Sequence, residues 1–180
     1  MLPTFLSRTA WFVLLCLLQA LVFNHVHIAG VATPMPYVFF LLVLRSDTPH
    51  WVYVACGFLM GLAIDLFTGT PGMAAASLCL TGLLAPWLLR AFTRSDGDAD
   101  EAFAPSAKTM KWGGFMGYAA SLVLVNCIGF FLIENFSFFN WMYLLLATGS
   151  SAALSLCFIV AIELIRTRDK QDDRKRKRGA

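Results

Sequence analysis

Apolar side chains run through this chain in long unbroken stretches. They show neither the alternation of a half-buried strand nor the one-sided stripe of a surface helix. Six stretches stand out, at 5–23, 34–44, 51–67, 72–89, 112–133 and 141–165, free of Lys and Arg but for Arg8 near the start of the first. A helix crosses the hydrocarbon core of a bilayer with about 20 apolar residues, somewhat fewer when short or tilted, so five of the six are candidate spans by length. The second is short and opens on two prolines in TPMP, which by length alone makes it a tilted or re-entrant element.

Charge decides otherwise. If all six stretches cross, the connecting segments alternate sides, and all 14 Lys and Arg fall on one of them: Arg8, Arg45, Arg90, Arg94, Lys108, Lys111 and the run from Arg166 to Arg178. The segments 24–33, 68–71 and 134–140 carry none. Removing the second crossing would set Arg8 opposite the other 13, so the positive-inside rule favours six crossings with both termini cytoplasmic. Trp11, Trp51, Trp87 and Trp112 then fall near cytoplasmic helix ends and Trp141 near an outer one, as an interfacial aromatic belt requires.

Composition agrees. Hydrophobic residues make up 58% of the 180, and a mean hydropathy of +0.69 leaves too little polar surface to cover a soluble globule. The first stretch reads as a permanent helix, because Arg8 is the one basic residue near its start and it lacks a small-residue cleavage site; in VLLC, Leu15 blocks a lipoprotein reading of Cys16. The five cysteines, Cys16, Cys56, Cys79, Cys127 and Cys157, all lie within expected spans without paired spacing and read as small hydrophobes.

The expected organisation is an all-α, six-span membrane domain over 1–166 and a basic cytoplasmic tail over 167–180. The segment TRSDGDADEAFAPSAKTMK has the composition of a flexible link, and the tail TRDKQDDRKRKRGA that of a chain disordered in isolation. The tail reads as a topology determinant able to adsorb to anionic lipid, not as a nucleic-acid contact.

Within GFLMGLAIDLFTGTPG, Gly57, Gly61 and Asp65 recur every four residues and share one helix face. Small residues at that spacing let a second helix approach closely, and Gly113 and Gly117 repeat it in the fifth stretch. A carboxylate within a span must face protein or water, so Asp65 is expected to accept hydrogen bonds from the TGTPG turn that opens the fourth helix, with a partner interface as the alternative. Glu163, three residues before Arg166, is expected to pair with it at the cytoplasmic edge. Glu134 stands at the outer mouth of the fifth helix, and His25 and His27 lack a third ligand for a metal site. No catalytic set, phosphate loop or cofactor fingerprint assembles, so neither an enzyme nor a bound cofactor is expected.

The order of features resembles the rod shape-determining MreD family. A Pro-initiated apolar helix ending in Arg is matched by PYVFFLLVLR at 36–45, which Pro36 opens; many members carry an acidic residue where Tyr37 follows it here. A third helix of the form G-L-x-x-D, then a small-residue turn and Gly, is matched at 57–77 by Gly61, Leu62, Asp65 and Gly72. The resemblance implies a non-enzymatic subunit of the bacterial inner membrane that helps organise lateral peptidoglycan synthesis and rod shape. It further implies MreC as direct partner, MreB, RodA and its transpeptidase as indirect ones, and a bundle similar to the substrate-binding subunits of energy-coupling-factor transporters. The rival expectation is a small-molecule-binding subunit of that transporter type, for which Asn24, His25, His27, Glu134, Asn135 and Asn140 are the polar candidates.

Overall fold

The computed structural model describes residues 2–21, 33–70, 72–93, 103–134 and 141–178, and these residues form helices without a strand. In chain order they are α1 (Leu2–Leu21), a 3-10 turn (Pro36–Val38) running into α2 (Phe39–Val43), α3 (His50–Thr68), α4 (Met73–Thr93), α5 (Lys111–Glu134) and α6 (Trp141–Arg178). Four stretches are long and apolar enough to cross a membrane: His50–Thr68, Met73–Thr93, Lys111–Glu134 and Leu144–Thr167. α1 contributes a shorter apolar stretch, Thr9–Gln19. The chain is an all-helical, multi-pass membrane protein.

The most extensive helix pair is the α3/α4 hairpin, and α4 in turn packs along α5. Glycine makes the first contact possible. A Cβ on Gly57 would lie 2.6 Å from the Leu78 carbonyl oxygen, one on Gly61 would lie 2.5 Å from the Ala74 oxygen, and one on Gly82 would lie 2.6 Å from the Tyr53 oxygen. Three backbone-on-backbone approaches thus run down one seam, two glycines from α3 and one from α4. Where lipid offers no hydrophobic drive between helices, such close packing supplies the association.

The second apolar stretch is where the structure departs most from a regular span. Only eight residues of it, from Pro36 to Val43, are helical. Pro34 and Pro36 delay the helix, and Leu44 leaves it with extended backbone at ψ 143. Every residue from Pro34 to Leu44 is nevertheless buried. Its path is long: Thr33 lies beside Thr68 and Glu134, at the C-terminal ends of α3 and α5, whereas the Arg45 carbonyl accepts from the hydroxyl of Tyr53, near the start of α3. Those ends of α3 are about 22 Å apart at 1.5 Å per residue. A broken segment therefore runs the length of the bundle inside it, where protein groups replace the missing helical bonds: Thr33 N–H donates to Ser151 Oγ (3.0 Å) and Met35 N–H to Ser155 Oγ (2.8 Å), both on α6. α1 closes one side through Trp11 against Phe39 and Phe12 against Phe40, with ring centroids 5.3 and 5.4 Å apart.

Two other segments differ from expectation. Residues 103–110, the end of the expected flexible link, are built into the fold: Phe103 N–H donates to Ser46 Oγ and Ser46 N–H to the Phe103 carbonyl, while Pro105, Ser106, Ala107 and Met110 are buried. The basic tail continues α6 as helix to Arg178. A helix already nucleated by packing propagates cheaply through Lys, Arg, Gln and Asp, and no Gly or Pro interrupts α6 between Gly149 and Gly179.

Substituting the seam glycines should be costly in proportion to contact. Gly61→Leu and Gly82→Val should each lower stability by about 3 kcal/mol or more, because the new atoms meet backbone that has nowhere to move. Gly113→Ala, with nothing within 4 Å of a new Cβ, should leave stability unchanged. Equilibrium unfolding of the purified protein in mixed micelles measures all three.

Candidate functional site

Asp65 lies one turn from the end of α3 and is buried. Its main-chain carbonyl accepts from Gly69 N–H at 2.9 Å, with Gly69 in the left-handed region at φ 69, so the same residue ends α3. Its carboxylate opens α4. Oδ1 accepts from Ala74 N–H (3.0 Å) and from the Thr70 hydroxyl (2.7 Å), and Oδ2 accepts from Ala75 N–H (2.9 Å). Ala74 and Ala75 are the second and third residues of α4, whose first N–H groups have no helical acceptor. A side chain on the residue before the helix ordinarily serves them. Here that residue is Gly72, at φ +81, which has none to offer. Asp65 supplies the cap from the preceding helix and places its charge at the positive end of the α4 dipole.

Of the residues singled out in the sequence, Gly57, Gly61 and Asp65 therefore come together on the face of α3 that meets α4. They pack inside the chain and offer no open surface to a partner. Gly72 acts through its positive φ, since a Cβ there would touch nothing. Pro36 begins the 3-10 turn. Gly117 faces the Phe92 ring on α4, 2.5 Å from a built Cβ, whereas Gly113 faces open space, so the GxxxG pair of α5 is no seam. Gly82 escaped the sequence reading because no second glycine stands four residues away; its signal is the row of small residues Ala74, Ser77, Gly82 and Ala85 through α4.

Glu163 is the second buried carboxylate. It pairs with Arg166 at 3.5 Å as the spacing requires, and it also accepts Ala107 N–H at 3.0 Å. This ties the 103–110 segment to α6, and Lys108 Nζ adds a bond to the Thr167 carbonyl at 3.0 Å.

At the other end of the bundle lies a cavity of about 120 Å³, lined by Gln19, Tyr37, Thr68, Thr70, Phe130 and Glu134 among others. Behind it the buried Asn126 donates to the Tyr37 hydroxyl (3.3 Å) and to Met35 Sδ (3.4 Å). Among the described residues no group of three or more His, Cys, Asp and Glu is placed to hold a metal ion. His25, His27, Asn24, Asn135 and Asn140 lie outside the described residues.

Asp65→Ala should destabilise the protein by about 2–3 kcal/mol, the range for a buried, charge-assisted hydrogen-bond set. Asp65→Asn should cost less, since one oxygen still accepts. Amide exchange should accelerate first at Ala74 and Ala75, as mass spectrometry of deuterated peptides reads directly. Glu163→Leu should free the 103–110 segment while leaving the bundle folded, seen as faster tryptic cleavage after Lys108 with an unchanged helical circular-dichroism signal.

Comparison with known proteins gives this geometry no relative: no family model matches the chain, and it has no significant match among curated proteins or solved structures.

Proposed function

We propose that the chain is a non-enzymatic membrane scaffold of the bacterial cell-elongation machinery, a partner of MreC that helps organise lateral peptidoglycan synthesis and rod shape. The observation that carries this reading is the use to which the 36–77 stretch is put. Pro36 opens the buried broken segment, Gly57 and Gly61 form the seam, Asp65 caps α4 and Gly72 turns the chain into it. Pro36, Gly61, Asp65 and Gly72, four of the residues behind the MreD resemblance, each have a positional role. A rigid α3/α4 hairpin that also leaves Trp51, Leu66 and Trp87 strongly exposed suits a part whose surface is meant for lipid and neighbouring helices.

Six crossings with both termini cytoplasmic belong to the same proposal. The buried path from Thr33 to Ser46 supplies the second crossing in broken form, and α1 the first. With that path counted, every Lys and Arg keeps to one side. MreB, RodA and its transpeptidase are then reached through MreC.

The rival, a vitamin-binding transporter subunit, calls for a site of about 300–1,000 Å³. The cavity among the described residues at the Glu134 end holds about 120 Å³, and five of the rival's six polar candidates lie outside the described residues.

Tagged full-length protein drawn from native membranes in mild detergent should bring down MreC and the elongation enzymes. Gly61→Leu should lose them together with rod shape, because a displaced hairpin deforms the docking surface. Enrichment of a transporter ATPase and its coupling subunit in place of MreC would overturn the proposal.

A further inference from the structure

The cavity at the Glu134 end has a consistent electrical character. Its polar wall groups carry oxygens: the Gln19 amide oxygen, the Tyr37 hydroxyl, the hydroxyls of Thr68 and Thr70, whose protons go to Ile64 and Asp65, and the Glu134 carboxylate. Among the described residues no Lys, Arg or His lines it. Three helices direct their C-terminal ends toward it, α1 near Gln19, α3 at Thr68 and α5 at Glu134, and helix C-termini carry the negative end of the dipole. The positive end of α4 beside them is capped by Asp65.

One wall group lacks a partner. Gln19 is buried, its Nε2 donates to the Pro34 carbonyl at 3.4 Å, and its Oε1 has no donor among the described residues. A buried amide oxygen without a donor is uncommon, and its position on the cavity wall means that the missing donor belongs to an occupant. Tyr37 and Phe130 add two aromatic rings, which attract cations through their faces. The volume suits a molecule of about four to six heavy atoms, by comparison with a 150 Å³ cavity that takes benzene.

We propose that this cavity is a binding site for a small primary ammonium group of the ethanolammonium class, its N–H donors meeting Gln19 Oε1 and the Tyr37 hydroxyl and its charge facing the Glu134 mouth. The same chemistry arrives either as a free amine or as the headgroup of phosphatidylethanolamine. Thr70 makes occupancy consequential, because its hydroxyl lines the cavity and also donates to Asp65, so a ligand there bears on the α3/α4 cap. The site requires no particular partner protein and stands apart from the scaffold reading.

The test uses the purified full-length protein, with thermal unfolding followed by tryptophan fluorescence. Ethanolammonium chloride should raise the unfolding temperature saturably, while sodium chloride, sodium acetate and tetramethylammonium chloride at equal ionic strength should not. Gln19→Leu should weaken the apparent affinity about tenfold, the loss of one hydrogen bond to a charged group. Tyr37→Phe and Glu134→Gln give the same readout should the Gln19 variant fail to fold. Reconstitution then separates the sources. A higher unfolding temperature in phosphatidylethanolamine than in phosphatidylcholine bilayers, with loss of the response to added amine, identifies the lipid headgroup; an unchanged response in both identifies the free amine. No saturable rise with ethanolammonium in either bilayer, an equal rise with the control salts, or a response unchanged in all three variants would overturn the assignment.

Discussion

The carboxylate of Asp65 holds the start of one helix from the end of another, and the rest of the bundle is organised around that bond set. An ionised acid within a span costs about 2.5–3.5 kcal/mol on insertion scales when left to itself. Here two helix N–H groups and one hydroxyl approach it within 3.0 Å, and the α4 dipole adds to them. Charge-assisted bonds contribute about 1.5–3 kcal/mol each, so three of them outweigh the insertion cost. The balance holds only if α4 stays within reach, which the seam at Gly57, Gly61 and Gly82 ensures by bringing the two backbones together. Cap and seam depend on each other: a side chain in the seam would lift Ala74 and Ala75 away from Asp65, and loss of the carboxylate would leave two buried N–H groups unserved.

A fixed hairpin is what allows the centre of the protein to be irregular. The path from Thr33 to Ser46 is helical for only eight residues and would be prohibitively costly facing lipid, which offers no partner to open backbone. Surrounded by α1, α3, α5 and α6 it finds hydroxyls instead, from Ser151, Ser155 and Tyr53. Those serines are themselves buried, and, four residues apart, they share the face of α6 that meets the N–H groups of Thr33 and Met35. Order in the hairpin and disorder of pattern in the core segment are two sides of one arrangement.

How much of this was legible beforehand varies by residue. Asp65 as a cap for the fourth helix could be read from TGTPG, because an acid close to a helix end with glycines following has few other partners. Gly57 and Gly61 were visible through their spacing, Gly82 was not, since its contact is set by where Tyr53 arrives from another helix. The short helix at Pro36 was foreshadowed by the prolines, whereas the depth of its burial was not, as an apolar run looks alike facing lipid or protein. The 103–110 segment has the composition of a linker, and its order comes from two distant residues, Ser46 and Glu163, that composition cannot pair. Gln19 had no signal at all, because an amide in an apolar run gains meaning only once the cavity beside it is known.

Asp65 and Glu163 show what buried acids do in this bundle. Asp65 accepts two main-chain N–H groups at the α3/α4 turn, and Glu163 accepts one, from Ala107 at the turn leading into α5, while its other oxygen pairs with Arg166. In a low dielectric an unserved N–H is among the costlier defects, and a carboxylate with two oxygens can serve two at once where a neutral side chain serves one. The acids thus replace the water that would cap these turns in a soluble protein. A third acid, Glu134, stands at the mouth of the cavity that Gln19 lines. Asp65 and Glu163 answer to donors within the chain, while Gln19 Oε1 has no donor among the described residues.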